Sequence, residues 1–149
     1  MSLPRFHLAV LGPLLLTACA MLPRPADPQI VSLARTVSAQ AGSFFAGLAS
    51  KQAADCGFDA NSDAYKSLAE LAAALNQHIA AHQGSAALVQ ASAALERTLA
   101  DARASHAAAS AKTDDANGAC MAAGAIALNA EAIARAIAAI AATQNAAGG

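Results

Sequence analysis

The sequence predicts an all-α protein: an up-down-up-down antiparallel four-helix bundle, preceded by a cleaved signal peptide and a short proline-containing tether. Alanine, the residue with the highest helix propensity, makes up about a third of the 149 residues. Four segments repeat apolar residues at alternating steps of four and three, the period of helices packed along a seam. Short polar or glycine-containing breaks separate the segments, as the turns of such a bundle require.

The first 18 residues have the composition of an export leader. Arg5 and His7 form a basic start, and an apolar run of nine residues, 8–16, follows. A membrane-spanning helix needs about 20 apolar residues, so this run is too short to span and suits the core of a signal peptide. The run ends in Leu16-Thr17-Ala18-Cys19, an aliphatic residue and two small residues before a cysteine.

This ending resembles the lipobox of bacterial lipoproteins. The resemblance implies that Cys19 carries a diacylglycerol, that residues 1–18 are removed, and that the new amine is acylated. Ala20 stands where an aspartate often retains such proteins in the inner membrane, so the resemblance implies the outer membrane, on its periplasmic face. Ordinary secretory cleavage after Ala20 is the alternative, because Ala18-Cys19-Ala20 also fits the small-residue cleavage rule.

Residues 19–27 are predicted to tether the domain to the membrane. Pro23 and Pro25 stiffen this stretch, which reaches roughly 25 Å at about 3.1 Å per residue. One helical domain, 28–145, and a frayed tail, 146–149, are expected to follow. Losing Arg5 with the leader leaves eight Lys and Arg against ten Asp and Glu. A weakly acidic chain with 3% aromatic residues offers no surface for nucleic acid.

The first helix is predicted to begin at Asp27, which can cap it, with Pro28 in its first turn. Cys56-Gly57 is expected to end it. The second helix is predicted to follow the capping residues Asn61-Ser62 and to stop at Gly84. The core positions expected on these helices are Ile30, Ala34, Val37, Ala41, Phe44, Leu48, then Tyr65, Leu68, Ala72, Leu75, Ile79 and His82.

Ser85 is predicted to cap the third helix, and the short link before it makes helices 2 and 3 antiparallel. A polar stretch, 110–119, precedes the fourth helix, whose start is expected near Cys120 or at Asn129. A membrane-spanning fourth helix is disfavoured because Glu131 and Arg135 lie in its middle. The core positions expected on helices 3 and 4 are Leu88, Ser92, Leu95, Leu99, Ala102, His106, then Ile126, Ala130, Ile133, Ile137, Ile140 and Gln144.

The up-down topology brings Cys56 and Cys120 to the same end of the bundle, distal to the membrane. In an oxidising periplasm they are predicted to form a disulfide, which closes a loop of about 65 residues and contributes roughly 4 kcal/mol on a chain-entropy basis. Two reactive thiols or a metal-binding pair are the alternatives, but neither has further ligands nearby in the sequence.

The stretch 59–70 partly resembles an EF-hand calcium loop, with oxygen-bearing side chains at Asp59, Asn61, Asp63, Ser67 and Glu70. Ala64 replaces the glycine of the sharp turn, and Lys66 adds a positive charge, so a capped helix start is preferred. His78 and His82 have the four-residue spacing of a metal pair, but the sequence supplies no third ligand. No metal or other cofactor is therefore expected.

We find no sequence pattern of a haem, di-iron, phosphate-loop or hydrolase site, and three glutamates leave little material for paired carboxylates. The sequence therefore predicts a non-catalytic, lipid-anchored envelope protein with a binding or structural role and an unidentified protein partner. Its interaction tip would carry Asp59, Asp63, Asp114 and Asp115, although polar loops alone also explain these residues. A small-ligand or metal carrier using the interior near His106 and Ser92 is the alternative, and a homo-oligomer is a further one.

Overall fold

The computed structural model describes residues 26–51, 55–82, 84–111 and 120–147. They form four α-helices: α1 (Pro28–Ser50), α2 (Phe58–Ala81), α3 (Ala86–Ser110) and α4 (Ala123–Ala147). All the secondary structure in these ranges is helical, which confirms the predicted all-α class. The predicted leader, Cys19 and all but the last two residues of the tether lie outside the described residues.

The four helices surround one apolar core. α1 packs against α2 and α4, and α3 packs against the same two helices. Aliphatic residues and alanines fill most of this core, and the phenylalanine and tyrosine rings of the described residues lie near one end of it. The core includes Ala34, Ala41, Ala72 and Ala102, whose small side chains need little space between helices.

Most predicted core positions are buried. All six on α3 are buried, including the polar Ser92 and His106. On α1, Phe45 occupies the core and Phe44 is half-buried, because the helical period drifts past the simple step of three near the end of the helix. Ala130 is half-buried, and His82 is exposed because α2 ends at Ala81 and His82 is its C-cap.

The boundary between α1 and α2 differs from the prediction. α1 ends at Ser50 rather than at Cys56-Gly57, and α2 begins at Phe58, so Asn61 and Ser62 lie within the helix. The side chain of Asn61 is buried, and its amide donates hydrogen bonds to the carbonyls of Asp55 (2.9 Å) and Gly57 (2.7 Å). Asn61 therefore fixes the loop before α2 instead of capping the helix.

The link between α2 and α3 needs a glycine. The N–H of Gly84 donates to the carbonyl of Ile79 at 2.9 Å, and a Cβ on Gly84 would lie 2.6 Å from the Ile79 Cγ2 atom. Ser85 caps α3, as predicted, by accepting a hydrogen bond from the N–H of Leu88. α4 begins at Ala123, which confirms the predicted start near Cys120 and excludes the start at Asn129.

Candidate functional sites at the two ends of the bundle

One end of the bundle is joined covalently. Cys56 and Cys120 are 64 residues apart in sequence, and their Cα atoms lie 5.0 Å apart across a disulfide. This confirms the predicted pairing. We call this region, with Phe58, Tyr65 and His106, the disulfide end. The bond ties the loop before α2 to the segment before α4.

A buried histidine lies beneath the disulfide. His106 is fully buried on α3, and its Nε2 atom lies 2.8 Å from the backbone oxygen of Cys56. Because a carbonyl only accepts, Nε2 carries the proton, and the Nδ1 atom accepts from the Tyr65 hydroxyl at 3.2 Å. Burial raises the pKa of Tyr65 to about 12, so this hydroxyl stays protonated and remains a donor.

Aromatic rings enclose this pair. Phe58 packs edge-on against His106, with ring centroids 5.8 Å apart, and Phe44 packs edge-on against Tyr65 at 4.8 Å. The guanidinium of Arg103 lies over the Phe58 ring. Both nitrogens of His106 and the hydroxyl of Tyr65 therefore have partners within the bundle.

The opposite end is joined by polar contacts. Asp27 caps α1, accepting at Oδ1 from the N–H groups of Gln29 and Ile30. Its Oδ2 atom accepts from Nε2 of His78 on α2 at 3.0 Å, and its own N–H donates to the Gln144 side chain on α4 at 2.9 Å. We call this region the chain-start end, because α1, the first helix, begins there.

The electrostatics of Asp27 follow from these contacts. The hydrogen bond from His78 lowers the pKa of Asp27 below its usual 3.8, partial burial opposes this, and the two capping N–H groups add to the lowering. His82 stacks on His78 with ring centroids 4.0 Å apart, and its Nδ1 atom donates to the His78 backbone oxygen. The contact of His78 with Asp27 was not predicted from the sequence, because Asp27 is far from both histidines along the chain and caps a different helix.

Two further polar groups specify how α2 and α3 meet. The hydroxyl of Ser92, which is buried, donates to Asn76 at 2.8 Å, and the Asn76 amide donates to the Glu96 carboxylate at 3.2 Å. Among the described residues, no buried side-chain nitrogen or oxygen lacks a hydrogen-bond partner. The interior around Ser92 and His106 therefore presents no unsatisfied group to a ligand.

The predicted metal-site residues do not form a cage in the structure. Asp59, Asp63 and Glu70 are exposed along about 17 Å of α2 at 1.5 Å per residue, whereas Asn61 is buried and bonded to its own loop. His78 Nε2 faces Asp27, and His82 is exposed. Within the described part of the chain, no three His, Cys, Asp or Glu residues are grouped to hold a metal. Asp114 and Asp115 lie outside it.

Two open grooves lie between α1 and α4. The larger, about 280 Å³, begins at the chain-start end and is lined mainly by apolar side chains with Arg35 and Gln144 at its edge. The smaller, about 130 Å³, continues along the same seam past Ala41 and Ala130. Neither of these two grooves is lined by His106 or Ser92.

The chain matches no known family model, curated protein or solved structure. One helical segment of the described residues, Ala123–Ala146, is long and apolar enough to cross a membrane, with a mean hydropathy of 1.6. Length and composition alone identify this segment, and the packing of α4 on α1 and α3 also accounts for its apolar inner face. The candidate sites therefore rest on their own geometry.

Proposed function

We propose that this protein is a lipid-anchored, non-catalytic component of a bacterial cell envelope, held by an acylated Cys19 and facing the periplasm. The observation that carries the proposal is the apolar run 8–16 ending in Leu16-Thr17-Ala18-Cys19. In this proposal residues 1–18 are removed, residues 19–27 form the tether, and Ala20 directs the protein to the outer membrane.

The anchored domain would be an up-down-up-down antiparallel bundle. Contacts between helix ends support this topology. Asp27, at the start of α1, bonds to His78 near the end of α2 and to Gln144 near the end of α4. At the other end, the N–H of Phe58 donates to the hydroxyl of Ser110, the last residue of α3, at 2.9 Å. With the chain start beside the membrane, the disulfide end would be distal.

The role we propose is binding a protein partner or supporting envelope structure. The satisfied polar interior supports a non-catalytic role, because general acid-base or nucleophilic chemistry needs an accessible ionisable group in a cleft. The exposed carboxylates Asp59 and Asp63 lie near the disulfide end, where a partner would meet them. Asp114 and Asp115, which the sequence assigns to the same tip, lie outside the described residues.

Lipid attachment tests the proposal directly. Full-length protein made in a diderm bacterium with an alkyne fatty acid should become labelled, and mass spectrometry should find an N-terminal peptide that begins at acylated Cys19. Cys19→Ala should lose the label and retain its leader. Cys120→Ala, a matched cysteine control, should keep the label. An unmodified N-terminus at Met21 would show ordinary secretory cleavage and contradict the proposal.

A small-ligand carrier is the second candidate. The groove of about 280 Å³ between α1 and α4 favours it, because Ile30, Ile137 and Ile140 give an apolar floor and Arg35 gives one charged edge. Native mass spectrometry and metal analysis of the purified protein check this candidate. A stoichiometric bound metabolite or metal would favour it, and a mass equal to that of the acylated chain would contradict it.

A further inference from the structure

α4 carries two seams of the same period on opposite faces. The inner seam packs in the core. The outer seam steps along the helix by four, three, four, three and four residues, which is the stepping of packed helices. Its members are Gly124, Leu128, Glu131, Arg135, Ala138 and Ala142. All six are exposed, so a pattern that elsewhere in this chain marks helix packing here meets no other helix of the described residues.

The outer face of α4 is also the least polar of the four. Only 17% of its most apolar window is buried. Leu128 is 65% exposed, whereas Val89, the other exposed large apolar side chain of the described residues, is 37% exposed. The positions flanking the outer seam are Ala127, Ala134, Ala139 and Ala141. By contrast, charged and amide side chains alternate along the exposed faces of α2 and α3, at Asp63, Lys66, Glu70, Gln77, Gln90, Arg97 and Asp101.

The charges on this face are arranged symmetrically. Glu131 and Arg135 stand two residues on either side of position 133, and they form an exposed ion pair within the helix. Leu128 and Ala138 stand five residues on either side of the same position, as Gly124 and Ala142 stand nine. If a second α4 runs in the opposite direction about this point, its Arg135 therefore lies level with Glu131 of the first, and its Ala138 lies level with Leu128.

We propose that a second copy of this chain packs antiparallel against the outer seam of α4. In this pair Glu131 of each copy lies beside Arg135 of the other, and Leu128 packs over Ala138 of the other. Glycine and alanine at the remaining positions let the two backbones approach closely. A parallel pair would place Glu131 beside Glu131 and Arg135 beside Arg135, so the charges select the antiparallel orientation.

A second copy fits this face better than a bilayer does. A membrane would cover the alanines and Leu128, but it would also take Glu131 and Arg135 away from water, where their exposed pair now lies. The second copy supplies each charge with a partner of opposite sign. The small-residue stripe alone does not identify the occupant, whereas the order of the two charges does.

The pairing does not depend on lipidation, but it constrains how an anchored pair would lie. Antiparallel packing puts the two chain starts at opposite ends of the pair, roughly 37 Å apart for the 25 residues of α4 at 1.5 Å each. With the two-fold axis along the membrane normal, both starts face the same side. On the proposed lipid anchor, both tethers then reach one leaflet and the paired bundles lie flat on it, whereas the distal disulfide end described above is that of a single, unpaired copy.

Charge-reversal variants of the full chain test the interface. Sedimentation in a density-matched mild detergent should show a dimer for the wild type. Glu131→Arg and Arg135→Glu should each raise the dimer dissociation constant at least about tenfold, because each gives two like-charge contacts. An equimolar mixture of the two variants should recover the wild-type constant within about threefold, because every contact is again between opposite charges. Glu70→Arg, a reversal on the exposed face of α2, should change nothing.

Cysteine cross-linking tests the orientation. Leu128→Cys and Ala138→Cys, placed in two differently tagged full-length chains, should give a mixed-tag adduct on oxidation, with mass spectrometry joining positions 128 and 138. Leu128→Cys alone should give no link between two copies of position 128. A wild type that sediments as a monomer at every concentration, an unchanged dimer in Glu131→Arg, or a link joining position 128 to itself would overturn the proposal. Fatty-acid labelling of Cys19 tests the lipid anchor separately, so its result does not change the outcome of these dimer experiments.

Discussion

The two ends of the bundle are closed by different physical means. The disulfide end combines a covalent bond with the buried pair of Tyr65 and His106. The chain-start end relies on Asp27, whose carboxylate is partly exposed and is held by His78 and by the N–H groups that it caps. Both ends join elements far apart in sequence. One end should therefore respond to a reductant and the other to acid, and each can be altered separately.

The largest expected effect is loss of the disulfide. Cys56→Ser combined with Cys120→Ser should lower the free energy of unfolding by about 2–4 kcal/mol, because the unfolded chain regains the freedom that the bond removes. Urea denaturation measures this. Adding a reductant to the wild type should give the same loss, and the double variant should not respond to it. A wild type indifferent to the reductant would contradict the assigned role of the bond.

The next effect concerns the buried hydroxyl beneath that bond. Tyr65→Phe should lower the free energy of unfolding by about 1–3 kcal/mol, because Nδ1 of His106 is left buried without its donor. A double-mutant cycle with His106→Leu measures the coupling between the two side chains by urea denaturation. Additive losses in that cycle would show that the hydroxyl does not act through His106.

The same two ends show how far the sequence alone could lead. The alternating steps identified the four helices, and the predicted pairing of Cys56 with Cys120 is confirmed. The Tyr65–His106 contact was not predicted, although both residues were placed in the core. Residue spacing shows which face a side chain occupies, but not its rotamer or its neighbour across the core.

The errors occurred where one residue had two plausible roles. Asn61 is a good N-cap residue, but here its amide bonds to the carbonyls of the preceding loop and the helix begins earlier. Phe44 and Phe45 are adjacent and equally apolar, so only the accumulated helical drift decides which is buried. The outer seam of α4 has the same stepping as the inner seam, so periodicity alone does not show which of the two faces lies in the core.

The smallest of these effects is expected at the chain-start end, and pH is its clearest test. Asp27→Ala should lower the free energy of unfolding by about 1 kcal/mol through loss of the cap, whereas Asp27→Asn keeps a capping oxygen and should cost less. Because the folded protein lowers the pKa of Asp27 below 3.8, the unfolded chain binds the proton more readily. The ionised carboxylate of Asp27 therefore stabilises the folded protein fully at pH values above 3.8. This stabilisation is lost as the pH falls through the lower pKa of the folded state.

Thermal denaturation of the wild type and Asp27→Asn between pH 7 and pH 2 measures this difference. The gap in melting temperature between the two proteins should stay constant at neutral and weakly acidic pH. It should close below about pH 4, near the ordinary pKa of an aspartate. His78→Leu should narrow the gap at every pH above that point, because it removes the largest cause of the lowered pKa. A gap that persists unchanged at pH 2 would show that the charge of Asp27 is not what stabilises this end.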